Sequence, residues 1–257
     1  MTSSLASLEK PLAVELETFE SPKLSLIIPV FNESEIITKN LKRLTRFLEH
    51  ELAVSYELLV CDDCSQDNTY QKLVELKAEI PHMTLIRFSR RIGKGGTIKE
   101  AVRRARGKIV VVMDVDLSTK LTHLPQMISF LEEKGGILIG ERKVSSRYSQ
   151  GFFRTILSLT FNLLARIFLR TGVKDHQCGF KGMTRKIAAF LAEKIEDNGY
   201  LFDTELIFLA KKHKISLAAL EVEWEEKRRV GRSKFWWTKS AIEMLKSLLK
   251  LRIKHPL

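Results

Sequence analysis

The sequence predicts an α/β protein built on a mostly parallel central sheet flanked by helices. Two observations carry this. Short runs of β-favouring apolar residues alternate with segments of helical periodicity over the first half of the chain. Three of the strand runs or their continuations also end in acidic or amide residues: Asn32-Glu33, Asp62-Asp63 and Asp114-Val-Asp116. In parallel sheets ligands bind outside the carboxyl ends of the strands, at a topological switch point. Taken alone, each cluster is compatible with a helix cap or a polar turn; three together favour a nucleotide site.

Leu24-Ser-Leu-Ile-Ile-Pro-Val30 reads as a first buried strand, with Pro29 placing its end at a sheet edge or in a loop. Asn32 and Glu35 have the spacing of a capping box, and Ile36, Ile37, Leu41, Leu44 and Leu48 follow at helical spacing. Tyr56–Val60 is a second strand. A helix opening at Ser65–Asn68 carries Leu73, Leu76 and Ile80. Met83–Arg87 is a third strand and Lys108–Met113 a fourth, apolar enough to be buried on both faces.

The fourth strand runs into Asp114-Val-Asp116. In an extended segment, residues i and i+2 point the same way, so both carboxylates are expected on one side of a solvent-facing strand end. Like charges held that close call for a cation, and hard divalent ions such as Mg²⁺ or Mn²⁺ take oxygen ligands of this kind together with substrate phosphates. Ser89-Arg-Arg-Ile-Gly-Lys-Gly-Gly-Thr97 is a Gly-rich basic loop opening a helix. Backbone N–H groups and Lys94 there suit a phosphate, and glycines serving a tight turn suit the pattern equally. The spacing is not that of a Walker A loop.

The chain has 257 residues, 44% of them hydrophobic, which is enough to bury a full core. Its three cysteines argue against a disulfide framework, and Cys61-Asp-Asp-Cys64 lacks the second pair a structural zinc site needs. Residues 1–22 read as a flexible acidic leader without the apolar core of a signal peptide, and no segment is long and apolar enough to span a bilayer. Positive charge is concentrated. Residues 142–174 hold seven basic side chains and no acid, and 227–257 hold ten against Glu243 alone. Together they carry +16 against a chain total of +12, leaving −4 elsewhere. Two local basic surfaces suggest a polyanionic partner.

These residues carry a resemblance. Pro29-Val-Phe-Asn-Glu33, Asp62-Asp-Cys-Ser-Gln-Asp67, the Gly-Lys-Gly-Gly loop and Asp114-Val-Asp116 resemble the nucleotide-sugar half of glycosyltransferase family 2, which has the Rossmann-like GT-A fold. Asp175-His-Gln-Cys-Gly-Phe-Lys181 is similar to a segment of dolichyl-phosphate glucosyltransferases, and Arg228-Arg-Val-Gly-Arg-Ser-Lys234 to the R-x-x-G-x-S-K motif of dolichyl-phosphate mannose synthases. In two places the sequence departs from the pattern: Ser118 stands where mannose synthases carry a metal-binding glutamine, and Phe31 replaces the commoner tyrosine beside the base.

The resemblance implies a GT-A domain over 23–235 and roles for named residues. Pro29, Phe31, Glu33, Asp62 and Asp63 would line the nucleoside pocket. Asp114 and Asp116 would hold Mg²⁺ or Mn²⁺ on the diphosphate, with Lys94 nearby. Arg142 and Arg154 would bind the acceptor phosphate, and Arg228, Ser233 and Lys234 would close over the diphosphate. The implied reaction is inverting transfer of a hexose from a nucleotide sugar, UDP-glucose before GDP-mannose, to dolichyl or another polyprenyl phosphate. A phosphate acceptor is already ionised at neutral pH and requires no strong general base.

Residues 151–170 are apolar nearly all round, with 11 residues, Thr155–Ala165, between charges. That is too short to span and suited to an interface, as is the basic amphipathic tail 236–257 with Trp236 and Trp237 at its start. The sequence therefore points to a peripheral enzyme on the cytoplasmic face of a membrane, with a membrane-anchoring subunit as a candidate partner. Two other readings are open: a family 2 enzyme acting on a soluble or cell-surface glycan, and a basic nucleic-acid-binding protein. The latter lacks any recognisable nucleic-acid module.

Overall fold

A seven-stranded sheet in the order β3-β2-β1-β4-β6-β5-β7 organises the computed structural model of the chain, which describes residues 21–143, 152–199, 201–225, 246 and 248–254. The strands are β1 (Leu24–Val30), β2 (Tyr56–Asp62), β3 (Met83–Arg87), β4 (Ile109–Val112), β5 (Ile137–Arg142), β6 (Lys181–Thr184) and β7 (Leu217–Val222). The helices are α1 (Ile37–Phe47), α2 (Thr69–Glu79), α3 (Gly93–Arg104), α4 (Leu124–Lys134), α5 (Phe152–Leu169), α6 (Arg185–Lys194) and α7 (Phe202–Lys212), with a further helical turn over 248–254. All pairings are parallel except those of β6, which runs antiparallel between β4 and β5.

Apolar residues on alternate positions feed two cores, which is why the strand sequences are hydrophobic throughout. Leu24, Leu26 and Ile28 of β1, with Ile109 and Val111 of β4, meet α1, α2 and α4 on one face. Ile27, Val110 and Val112 meet α3, α5, α6, α7 and Leu248 and Leu251 on the other. At the amino ends of the strands, buried Glu57 accepts from Ser25 Oγ (2.5 Å), the Arg106 backbone N–H (2.6 Å) and Arg106 Nε (3.0 Å). Burial alone would raise the pKa of Glu57; these donors outweigh it and hold the carboxyl below its ordinary value.

The chain runs from β1 outward to β2 and β3, then crosses to β4 on the other side of β1, so the switch point lies between the carboxyl ends of β1 and β4. β1 pairs with β2 as far as Val30 opposite Asp62, whereas its ladder with β4 stops at Ile27 opposite Val112. This corrects the reading of Pro29 as a marker of a sheet edge or loop. Pro29 sits in a central strand, beyond the end of the β4 ladder, where its missing N–H costs no bond to β4.

Asn32 is likewise not an N-cap. Helix α1 starts without a side-chain cap after Ile36, while Asn32 adopts φ +53° and its side-chain oxygen accepts from the Gln66 N–H (2.8 Å). The leader through residue 20, the motif Arg228–Lys234 and the start of the tail at 236–245 lie outside the described residues.

Candidate functional site

The carboxyl edge of the sheet collects the candidate residues, and the sequence logic differs at each. β4 ends at Val112, so Asp114-Val115-Asp116 is not extended. Leu117 takes φ +50° and its N–H returns to the Asp114 carbonyl (3.1 Å), closing a tight turn. The i, i+2 geometry expected from a strand therefore does not apply. Asp114 is half-buried at the rim. Asp116 is buried and accepts the Ser118 N–H (3.0 Å), so the expectation of a solvent-facing end holds for neither acid fully.

Antiparallel β6 explains how the Asp175–Lys181 segment reaches this turn. Its first residue, Lys181, pairs with Val112, the last of β4, so the residues before it stand against Asp114. Gly179 is required there, because a Cβ would overlap both carboxylate oxygens of Asp114. Lys181 is buried and donates to the His176 and Cys178 carbonyls and to Asp203 Oδ1 (2.8 Å) at the start of α7. Asp203 Oδ2 faces Lys94 Nζ at 3.8 Å, and the same ammonium lies 2.8 Å from Asp114 Oδ1. Sequence reading missed Asp203; it resembles an ordinary first-turn acid favourable to the α7 dipole.

Arg142, at the end of β5, is buried and donates through Nε (2.6 Å) and Nη2 (2.9 Å) to the two carboxylate oxygens of Asp175. Burial opposes its charge, but Asp175 and, more weakly, Asp114 outweigh burial and raise its pKa. The residue expected to grip an acceptor phosphate is thus held in the wall of the site. Trp224 stands 5.3 Å from its guanidinium, and the segment after β7 lies along the acidic turn: Glu225 N–H donates to the Ser118 carbonyl (2.9 Å). Arg154 lies on α5 with its side chain outside what the structure describes, and Arg228, Ser233 and Lys234 lie outside the described residues altogether.

Of the two readings of the Gly-rich loop, the contacts favour glycines that serve local packing. The Ile92 and Gly93 amides donate to Asp63 (2.6 and 3.0 Å), so a carboxylate of the chain itself holds the N-terminus of α3, where a phosphate was one of the two readings. Gly93 and Gly95 serve close packing: a Cβ on Gly93 would overlap the Asn198 carbonyl, and one on Gly95 would stand 2.7 Å from Phe202 Cβ. Asp62 is wholly buried and accepts the Ser65 N–H (3.3 Å). Phe31 is half-buried with the Arg91 guanidinium 3.9 Å over its ring, and Arg91 Nε is 3.8 Å from Asp63. The Glu33 backbone is fixed by an N–H bond to Thr69 Oγ1 (2.8 Å).

His176 serves the scaffold. It is buried, its Nε2 lies 2.7 Å from Thr171 Oγ1, and its ring and backbone N–H meet Asn162 Oδ1 on α5 (3.3 and 2.8 Å). Burial, reinforced by Lys181, lowers its pKa to about 4.

The donor set fits a hard divalent ion. Two carboxylates stand on one turn, Gly179 leaves room for the Asp114 carboxylate, and Ser118 Oγ is buried without a hydrogen-bond partner. No cluster of three His, Cys, Asp or Glu side chains that could hold a metal occurs among the described residues. The remaining ligands would come from substrate phosphates and water, as Mg²⁺ commonly has them.

The sequence profile of glycosyl transferase family 2 matches residues 25–191. The dolichyl-phosphate beta-glucosyltransferase of Dictyostelium discoideum is 30% identical over 246 residues, 90% of this chain and 74% of that protein. The enzyme of the same name from Saccharomyces cerevisiae is 27% identical over 252 residues, 90% and 75% of the two chains. Glycosyltransferase AglD of Haloferax volcanii is 31% identical over 208 residues, 80% of this chain but 33% of that longer protein. Among solved structures, glucosyl-3-phosphoglycerate synthase from Mycobacterium tuberculosis, in complex with Mn²⁺, UDP and glucosyl-3-phosphoglycerate, superposes with TM-score 0.66 at 17% identity, covering 90% of this chain and 80% of that one. That likeness establishes the fold.

Proposed function

The chain belongs to glycosyl transferase family 2, and from that premise we propose that it transfers glucose from UDP-glucose to dolichyl phosphate or a related polyprenyl phosphate. The observation that carries the acceptor class is the likeness to dolichyl-phosphate beta-glucosyltransferases over nine-tenths of the chain, which includes Asp175–Lys181 beside the acidic turn. The same likeness puts UDP-glucose ahead of GDP-mannose as donor.

Phe31, with Arg91 stacked on its ring, Pro29, Glu33, Asp62 and Asp63 form the uridine end of the site. Asp114 and Asp116 would hold Mg²⁺ or Mn²⁺ at the diphosphate. When bound, that ion offsets the negative charge that builds on the departing diphosphate. Lys94 adds a positive charge at the same place. The R-x-x-G-x-S-K motif assigns Arg228, Ser233 and Lys234 to the diphosphate, and they follow in sequence Glu225, whose N–H is bonded to the Ser118 carbonyl beside the acidic turn. Arg154 binds the acceptor phosphate. Arg142, locked to Asp175, contributes its charge from the wall and keeps Asp175–Lys181 in place.

An acceptor phosphate oxygen attacks the anomeric carbon as the bond from that carbon to the diphosphate oxygen breaks, giving a β-glucosyl phosphodiester and UDP by inversion. No proton need be removed from the ionised phosphate, so the site requires no histidine base. This agrees with the burial of His176.

Among the described residues no helix is long and apolar enough to cross a membrane. α5 nevertheless exposes Leu159, Leu163 and Ile167 in one stripe beside Arg166, and 248–254 exposes Leu249 and Ile253. These support peripheral membrane binding, which we assign to the cytoplasmic face, with the basic tail 236–257 and a separate anchoring subunit as further contributors. The test is a panel of radiolabelled nucleotide sugars with polyprenyl phosphate and Mg²⁺ or Mn²⁺. Label entering the lipid phase from UDP-glucose alone, and lost with chelator, is expected. Label entering from GDP-mannose alone overturns the donor assignment.

A further inference from the structure

We infer that Lys94 competes with the divalent ion for Asp114: its ammonium is bonded to Asp114 and must transfer to Asp203 and the diphosphate when donor and metal enter. The inference rests on the metal reading above and concerns how that site is gated.

The geometry gives Lys94 two seats. Its Nζ is 2.8 Å from Asp114 Oδ1 and 3.8 Å from Asp203 Oδ2, so it is bonded to the first and already within reach of the second. A contact at 2.8 Å is a charge-assisted hydrogen bond, and it uses a carboxylate oxygen that a metal would need. The second seat is held in place by a second lysine. Lys181 Nζ, buried, holds Asp203 Oδ1 at 2.8 Å and gives its other hydrogens to the His176 and Cys178 carbonyls. Asp203 is therefore fixed with its other oxygen turned to Lys94.

The backbone around Lys94 cannot supply the movement. Gly93 packs against the Asn198 carbonyl, Gly95 against Phe202, and the Gly96 N–H donates to the Asn198 carbonyl at 3.2 Å. These contacts dock the start of α3 onto the start of α7 and fix where the Lys94 stem begins relative to Asp203. Only the side chain, itself 24% exposed, can swing. The charge arithmetic favours the exchange only when both ligands arrive. A metal alone must compete with an ammonium already on Asp114. A metal with a nucleoside diphosphate brings two further negative groups that Lys94 can meet from the Asp203 side. Metal and nucleotide are thereby coupled, each strengthening the other.

The test is a titration of the full chain with Mn²⁺, followed by the electron paramagnetic resonance signal of free Mn²⁺, with and without UDP, for wild type and Lys94→Met. Wild type is expected to bind Mn²⁺ weakly alone and about tenfold or more tightly with UDP. K94M, of similar side-chain length and without the competing charge, is expected to bind Mn²⁺ alone about three- to tenfold more tightly than wild type and to gain less from UDP. Asp203→Asn should move the first quantity the other way, because it weakens the second seat and leaves Lys94 on Asp114. Charge beside the ion gives these two signs without any exchange, so the gain from UDP decides: a static charge leaves that gain unchanged, and a K94M gain equal to that of wild type overturns the inference. Equal or weaker Mn²⁺ binding by K94M alone overturns this inference while leaving the metal reading intact. Absence of Mn²⁺ uptake by wild type even with UDP overturns both.

Discussion

Gly179 and Asp114 occupy one space: the hydrogen of Gly179 lies where any Cβ would overlap the Asp114 carboxylate. The two residues are 65 positions apart, and antiparallel β6 alone brings them together by pairing Lys181 with Val112. Gly179→Ala requires no forbidden backbone angle, so its effect falls on Asp114. Turnover should drop about a hundredfold or more, with the midpoint of thermal unfolding changed by only a few degrees, as steady-state kinetics and calorimetry on one preparation would check. Near-normal turnover would show that the carboxylate can move without loss.

Asp175→Asn leaves the buried Arg142 charge with a neutral partner. Breaking a buried ion pair from one side costs roughly 3–5 kcal/mol. Denaturant unfolding should show a loss of that size, whereas Arg142→Lys, which keeps the charge but not the two-toothed bond, should lose less stability. Equal stability of D175N and wild type would contradict the pair's role in the wall.

His176 sets an acid limb. Its folded pKa of about 4 lies below the ordinary 6.5, so the unfolded chain binds the extra proton first. Stability is therefore full above pH 6.5 and falls as pH drops from about 6.5 to about 4, by about 3 kcal/mol in all. Glu57, with its pKa lowered, adds a loss at more acidic pH with the same sign. His176→Gln should flatten the pH dependence of unfolding between 4 and 6.5, the range set by these two pKa values. An unchanged slope there would contradict the burial of a neutral imidazole.

The stripe on α5 predicts vesicle binding. Leu163→Glu with Ile167→Glu, on positions 49% and 59% exposed, should release the protein from anionic vesicles at low salt without shifting its thermal unfolding. Donor affinity, measured by calorimetry with UDP and Mn²⁺, should be unchanged. Retention of the double variant on the vesicles would move the membrane contact to another surface.

The nucleotide half of the fold was legible because it is written in local pattern. β1 occurs at Leu24–Val30 and β3 at Met83–Arg87 as read, and β2 and β4 agree to within two residues, since apolar runs between turns identify strands wherever both sheet faces are covered. What was not legible depends on partners distant in the chain. β6 is Lys-Gly-Met-Thr, four residues without alternation, and only its place between β4 and β5 makes it a strand. Asn32 resembles a helix cap and instead braces Gln66. The Gly-rich loop resembles a phosphate cradle, yet Asp63, 30 residues earlier, already holds its amides. At the site, the two acids of the turn were read as an extended pair, whereas β4 ends at Val112 and a tight turn carries them. Arg142 was recognised as a charge without its partner Asp175, and Asp203 went unread because nothing in Leu201-Phe-Asp-Thr-Glu205 distinguishes it from a dipole-favoured first turn.

The central claim is that the acceptor is a phosphate monoester on a lipid. Phosphorus NMR of one reaction, with UDP-glucose, a short polyprenyl phosphate and Mg²⁺, follows both sides of the transfer at once. The lipid monoester signal is expected to be replaced by a phosphodiester signal in step with the release of UDP, one for one. Release of UDP while the lipid monoester signal stays unchanged would contradict that claim.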